Sequence, residues 1–211
     1  MKLNHKTNYY IINTPMFGII IFLISAPLIT QFYPGGSINN ANSIGFDWSQ
    51  NYWCNLFNSK ALNDVDNSAR PFAISSTIFM FFSLLLFFYF FDDEFGLPKL
   101  KKIIIKYFGI ASMLIAPFVM TQYHDIAVVV SGSLSSIAFL AIFHTHYKNK
   151  HYFLLCFGIC WAVFFTINYL IYFSNIWIEK LPVIQKISFL TFYFWIILTN
   201  SLYNKRKSTT K

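Results

Sequence analysis

Six long stretches almost free of Asp, Glu, Lys and Arg set the main limit on how this chain can fold. A helix needs about 20 apolar residues to cross a hydrocarbon layer about 30 Å thick, and each stretch is long enough. Hydrophobic residues make up 56% of the 211 residues and charged residues 11%, whereas a soluble domain carries about 25% charged residues. We therefore predict an all-α integral membrane protein, with one six-transmembrane-helix domain over residues 1–211 and spans at about 11–32, 71–91, 103–120, 126–146, 152–173 and 183–203.

Lysine and arginine are distributed unevenly among the segments that connect these spans. If the N-terminus is cytoplasmic, 12 of the 16 Lys and Arg residues lie in cytoplasmic segments and four in outer segments. Because positive residues that flank spans are retained in the cytoplasm, both termini are predicted to be cytoplasmic. The net charge of +8 therefore reflects topology. Since the basic residues form no continuous stripe, we expect no nucleic-acid partner.

An alternative for residues 1–26 is a cleaved secretory signal. Lys2 and Lys6 precede an apolar run that ends in small residues, which is the order of features in such signals. The apolar run continues through Pro27 to Phe32, beyond the length of a typical signal core. We therefore keep this region as the first span.

The longest connection lies between the first two spans, over residues 34–70, on the predicted outer side. Loops of this length usually carry a function. Residues 47–58 have the pattern of a short interfacial helix, with aromatic side chains on one side. The other side is either a solvated surface or a ligand-binding surface, and it carries one carboxylate and three carboxamides: Asp47, Asn51, Asn55 and Asn58.

Charged residues at the starts of two spans complete the candidate site. Arg70 precedes the second span, where it can bind a phosphate or carboxylate or anchor the helix among lipid headgroups. His124 and Asp125 open the fourth span after a short outer turn. Since a neighbouring carboxylate raises the basicity of an imidazole and can set its tautomer, these two are the candidate catalytic residues. A purely structural histidine at a helix start is the alternative.

The motifs of common metal and nucleophile chemistry do not occur in the sequence. It contains no H-E-x-x-H, G-x-S-x-G, C-x-x-C or Walker-type glycine loop. His144 and His146 are two residues apart and so occupy different helix faces, which does not favour a shared metal. We therefore predict neither a metal ion nor a cofactor.

The order of these features resembles that of a known family. The segment 51–56 (Asn-Tyr-Trp-Cys-Asn-Leu), the Asn67-Ser68 pair before the second span and the His124-Asp125 pair are similar to the six-span prokaryotic membrane family catalogued as domain of unknown function 998. The resemblance covers most of the chain. It implies a six-helix fold whose outward polar residues form a pocket, and it supplies no established activity.

A more distant similarity is to the alkaline ceramidase superfamily of membrane hydrolases. Residues 47–52 (Asp-Trp-Ser-Gln-Asn-Tyr) look similar to an outer segment of that superfamily. The zinc site of the superfamily includes an H-x-x-x-H pair near the end of the chain, and no histidine follows His151 here. This departure removes the metal site that zinc-dependent hydrolysis would need.

Together these features predict a multi-pass protein of the bacterial plasma membrane with an outward-facing polar pocket for a lipid headgroup or a small polar ligand. Membrane lipids are the expected partners, and the oligomeric state is left open. A lipid hydrolase or transferase with His124 as general base is the alternative, followed by a small transporter or an assembly factor. The predicted ligand-binding residues are Asp47, Asn51, Asn55 and Arg70, and the predicted catalytic residues are His124 and Asp125.

Overall fold

Helices make up most of the regular structure of this chain. The computed structural model describes residues 5–91 and 97–209, and within those ranges it contains no β-strand beyond two isolated bridges. Six helices are long and apolar enough to cross a membrane, which confirms the predicted helical fold class and indicates a membrane protein. They are α1 (His5–Thr30), α2 (Arg70–Phe90), α3 (Lys99–Met120), α4 (His124–Lys148), α5 (Tyr152–Ser174) and α6 (Leu181–Thr209).

The α3 helix changes its winding along its length. It is α-helical over Lys99–Ile103 and Gly109–Ile115, with a wider π-helical turn over Ile104–Phe108 between them. Its last five residues, Ala116–Met120, form a tighter 3₁₀-helix. Pro117 lies at the start of this segment, where its missing N–H removes one α-helical hydrogen bond to the carbonyl four residues earlier.

The connections between helices define two ends of the bundle. Residues 31–69, 121–123 and 175–180 lie at one end, called the loop end below. At the opposite end the Ser201 hydroxyl of α6 lies 3.7 Å from the Met16 sulfur of α1, so the first and last helices meet there. Lys2 and Lys211, two of the residues in the predicted topology count, lie outside the described residues.

Exposed tyrosine and tryptophan side chains are concentrated at the two ends of the bundle. Such aromatic belts are typical of the two membrane–water interfaces, because the rings are amphipathic. The exposed residues near the loop end are Trp48, Tyr123, Tyr172 and Trp177, and those near the opposite end are Tyr89, Tyr107, Tyr147 and Tyr152.

An aromatic cluster joins the last three helices. Phe139 of α4 contacts Trp161 of α5 with ring centres 4.8 Å apart, and Trp161 contacts Phe192 of α6 at 4.9 Å. Trp195 of α6 is fully buried, and its ring nitrogen donates a hydrogen bond of 2.8 Å to the Leu154 carbonyl of α5. Because lipid tails are as apolar as these side chains, close packing and such hydrogen bonds hold the helices together.

Glycines allow two helices to approach α2 closely. A Cβ atom at Gly18 of α1 would lie 1.7 Å from the Ser83 hydroxyl oxygen of α2. A Cβ atom at Gly109 of α3 would lie 2.2 Å from the ring of Phe88, which is fully buried in α2. The spacing of α1, α2 and α3 therefore depends on the absence of side chains at these two positions.

We predict that Gly109→Ala destabilises the bundle by about 1–3 kcal/mol, because the buried Phe88 ring has no room to move away from the added methyl group. Thermal unfolding of the detergent-solubilised protein measures the effect. Val129→Ile is the matched control, since it adds one carbon to a side chain that is 44% exposed. Equal melting temperatures for Gly109→Ala and the control would contradict the proposed packing.

Candidate functional site

The loop of residues 31–69 is folded mainly by its polar side chains. The helix predicted over residues 47–58 is shorter in the structure, where a turn over 47–50 is followed by a five-residue 3₁₀-helix at Trp53–Phe57. Tyr52 separates the two with an extended backbone. The reason is local competition: the Asn55 side-chain oxygen accepts a 2.6 Å hydrogen bond from the Tyr52 N–H, in place of a helical carbonyl.

Asn51 joins two parts of this loop from a fully buried position. Its side-chain oxygen accepts a 2.9 Å hydrogen bond from the Asp47 N–H, and its amide nitrogen donates one of 2.9 Å to the Gly36 carbonyl. Both ends of the carboxamide are therefore used for folding. The structure places Asn51 and Asn55 among the residues that organise the loop.

Asn67 is a second residue that organises the loop. It is 6% exposed, and its amide nitrogen lies within hydrogen-bond distance of three carbonyl oxygens. These belong to Asn55 at 3.3 Å, Leu56 at 3.2 Å and Asn58 at 3.0 Å. Its side-chain oxygen accepts a hydrogen bond from the Ala69 N–H. One side chain thus ties the 3₁₀-helix to the start of α2.

Lys186 fastens the loop to α6. A lysine near the end of a span commonly extends its ammonium group to the membrane surface, but this side chain is 7% exposed and turned towards the loop. Its Nζ atom donates hydrogen bonds to the carbonyl oxygens of Asn51 at 2.5 Å and Pro182 at 3.0 Å. Two carbonyl acceptors partly replace the water that an ammonium group would otherwise bind, so this lysine belongs to the loop's framework.

Asp47 closes the turn that precedes Asn51. Its carboxylate accepts hydrogen bonds from the Ser49 hydroxyl at 2.6 Å and from the backbone N–H groups of Ser49 and Gln50. The hydrogen bond from the Ser49 hydroxyl is the main cause that lowers the pKa of Asp47, and the positive charge of Lys186 lowers it further. Asp47 is therefore an ionised turn residue.

An open cavity of about 450 Å³ lies at the loop end. It is bounded by the 3₁₀-helix region of the loop, the start of α2, the end of α3 and the start of α4. Phe57, Val119 and Met120 supply apolar lining. The polar lining consists of Asn58, Ser59, Arg70, Thr121, Gln122 and His124.

Arg70 presents positive charge to this cavity. Its Nε atom donates a 2.9 Å hydrogen bond to the Phe57 carbonyl, which holds the guanidinium group against the loop. Among the described residues, no carboxylate lies within ion-pair distance of Arg70. Its two terminal amino groups can therefore donate to a ligand, and paired N–H donors suit a phosphate or a carboxylate.

His124 is oriented by a chain of two hydrogen bonds. Its Nδ1 atom lies 2.9 Å from Oδ1 of Asp125, and the Tyr172 hydroxyl of α5 donates a 2.9 Å hydrogen bond to the same oxygen. A carboxylate only accepts, so Nδ1 carries the hydrogen and Nε2 has the lone pair in the neutral ring. The side chains of His124 and Asp125 are 38% and 70% exposed.

Tyr172 could not be identified from the sequence. It lies 47 residues from Asp125, in a different helix, and no local motif surrounds it. Only the packing of α5 beside α4 brings the hydroxyl to the carboxylate.

Cys54 also lines the cavity. Burial raises the pKa of its thiol to about 11, so the thiol is protonated near neutral pH and is a poor nucleophile there. Within residues 5–91 and 97–209, no group of three or more His, Cys, Asp or Glu side chains is arranged to hold a metal ion.

The structure brings together only part of the predicted site. Arg70 and His124 share the cavity, and Asp125 is bonded to His124. Asp47, Asn51 and Asn55 do not line it and are instead bonded within the loop. Comparisons with family models, curated proteins and solved structures found no match to this chain. The two family resemblances therefore stay predictions.

We predict that Cys54 reacts with iodoacetamide at least about 100-fold more slowly at pH 7.5 in the folded protein than in the unfolded chain, because each unit of raised pKa lowers the thiolate fraction tenfold. In a variant with Cys156→Ser and Cys160→Ser, Cys54 is the only cysteine, and mass spectrometry measures how fast it is alkylated. In the folded protein the rate should continue to rise with pH towards 11, the pKa of Cys54. Equal folded and unfolded rates would contradict the assignment.

We predict that Lys186→Met loosens the loop, because two backbone carbonyls lose their ammonium donor while the side-chain volume is nearly kept. The expected result is about tenfold faster hydrogen exchange at the backbone amides of Trp53–Phe57, corresponding to about 1.4 kcal/mol in the opening equilibrium. Lys180→Met is the control, since Lys180 is exposed at the same end. If both variants show the same exchange rates, Lys186 does not hold the loop.

Proposed function

We propose that the cavity at the loop end binds an anionic group, and that this group is the headgroup of a membrane lipid. The observation that carries the proposal is the shared cavity of Arg70 and His124, in which Arg70 has no carboxylate partner among the described residues. An arginine beside an open cavity is well suited to neutralise an anion, and charge-assisted hydrogen bonds are the stronger ones.

The remaining lining supports an anionic ligand. Among the described residues, no aspartate or glutamate lines the cavity, and apart from Arg70, His124 and Cys54 its polar side chains are neutral hydroxyl and carboxamide groups. Carboxamides and hydroxyls can donate to phosphate or carboxylate oxygens without adding opposing charge. His124 adds a further polar group from the α4 side.

The depth of the cavity supports a lipid source for the anion. Arg70 begins the apolar span of α2, Met120 ends that of α3 and His124 begins that of α4. Lining residues at three span ends support a position for the cavity near the level of the lipid headgroups. The apolar lining from Phe57, Val119 and Met120 can contact the first carbons of the lipid.

We further propose that the loop end faces outward from a bacterial plasma membrane, with both termini in the cytoplasm. This proposal rests on the 12 Lys and Arg residues in the inner segments against four in the outer ones. In it Asp47, Asn51 and Asn55 hold the fold of the loop through their hydrogen bonds and do not contact the ligand. The proposed resemblance to domain of unknown function 998 is consistent with such an outward pocket.

We predict that Arg70→Gln weakens binding of dihexanoyl phosphatidylglycerol about 10- to 100-fold, because one charge-assisted interaction of about 1.5–3 kcal/mol is lost. Isothermal titration of the detergent-solubilised protein measures the affinity. Lys180→Gln removes a positive charge from the same end without touching the cavity and should bind like the parent protein.

Two comparison ligands test the source of the anion. Dihexanoyl phosphatidylcholine has the same acyl chains without net charge and should bind more weakly. Inorganic phosphate lacks the lipid and should also bind more weakly; if it binds as well as the phosphatidylglycerol, the ligand is a soluble anion. Unchanged affinity of Arg70→Gln for every probe would remove the basis of the proposal.

A further inference from the structure

We infer that the cavity is also a hydrolytic site, in which His124 is the general base that activates water against an acyl ester of the bound anionic lipid. This inference rests on the proposed function, since Arg70 must first hold the headgroup. It adds a reaction to the binding site and follows from the arrangement of Tyr172, Asp125 and His124.

The hydrogen-bond chain determines which nitrogen of His124 can accept a proton. Nδ1 donates to Asp125, whose carboxylate is held in turn by the Tyr172 hydroxyl. The lone pair is consequently on Nε2, and His124 is one of the residues that line the cavity. General-base catalysis requires that this nitrogen reach a water molecule held in the cavity, and we propose that it does.

The lining also favours a carboxylic ester over a phosphate ester. In acyl ester hydrolysis, one imidazole can act first as base and then as acid on the same side of the tetrahedral intermediate. In-line displacement at phosphorus needs the leaving group to depart on the side opposite the attacking water. The described lining contains one imidazole and no carboxyl group. It therefore supplies the single base needed for acyl ester hydrolysis, but no second acid on the opposite side for displacement at phosphorus.

The step balances with water as the only co-reactant. The water oxygen bonds to the acyl carbon while its proton passes to Nε2 of His124. The tetrahedral intermediate then collapses, the bond between the acyl carbon and the glycerol oxygen breaks, and the imidazolium proton passes to that oxygen. The products are a fatty acid and a lysolipid, and His124 returns to its neutral form.

Asp125 and Tyr172 act in this scheme as positioning residues. The carboxylate holds the tautomer and stabilises the imidazolium that forms, while the tyrosine keeps the carboxylate in place. Among the described residues, the charged or titratable groups that join this hydrogen-bond chain or line the cavity with His124 are Asp125 on its own helix, Tyr172 on α5, Arg70 on α2 and Cys54 in the loop. Tyr123 precedes His124 in the sequence. Without the Tyr172 hydroxyl, the Asp125 carboxylate has one hydrogen-bond donor fewer. Its negative charge is then less stabilised, so it attracts the His124 imidazolium more strongly.

The test uses the full chain reconstituted in vesicles of phosphatidylglycerol, with fatty acid and lysolipid quantified by mass spectrometry. We expect release by the parent protein and a loss of at least about 100-fold in His124→Asn, the contribution typical of a general base. In Tyr172→Phe, the acid limb of the pH–rate profile should move to higher pH. Tyr147→Phe, an exposed tyrosine at the opposite end, is the control and should leave the profile unchanged.

The outcomes separate this inference from the binding proposal. If dihexanoyl phosphatidylglycerol binds in an Arg70-dependent manner but no fatty acid is released, hydrolysis is overturned and binding stands. Release of glycerol phosphate in place of fatty acid overturns the assignment to an acyl ester. If His124→Asn retains the parent rate, His124 is not the base. Absence of both binding and release overturns both proposals.

Discussion

The loop end of this protein depends on one constraint, which is that backbone polar groups near a membrane need hydrogen-bond partners. Residues 31–69 contain only one short 3₁₀-helix and isolated bridges, so regular structure satisfies few of these groups. Side chains take over this role. Asn51, Asn55 and Asn67 bind backbone groups of other loop residues, and Lys186 supplies donors from α6. The loop is rich in asparagine because its backbone groups need side-chain hydrogen-bond partners.

The same bonds position one wall of the cavity. The 3₁₀-helix at Trp53–Phe57 is held on one side by α6, where the Gln185 side chain accepts a hydrogen bond from the Trp53 N–H. On its other side Arg70 binds the Phe57 carbonyl. Arg70 thus joins the wall of the cavity and also supplies its charge. The binding site and the folding of the loop are therefore physically linked. A change in the contacts between the loop and α6 should alter the position of the cavity wall.

The candidate site could be predicted from the sequence only in part. Arg70 and the His124-Asp125 pair stand at span ends, where the length of an apolar stretch alone places them at the membrane boundary. The roles expected for Asn51 and Asn55 came from assuming a regular helix, in which spacing decides the face. The structure interrupts that helix at Tyr52, because an asparagine side chain competes for the backbone N–H. Spacing then no longer tells which side chains point to a ligand.

The sequence by itself determined the six apolar helices, because apolar length and the absence of charge are local properties that lipid selects for. Only the tertiary structure decided which polar groups meet. The contact of Tyr172 with Asp125 joins two helices, and that of Lys186 with Asn51 joins α6 to a loop 135 residues away. Such pairs depend on how the helices pack. In lipid, the shapes of the helix surfaces determine this packing, for example at Gly18 and Gly109. The hydropathy of a residue does not indicate its shape.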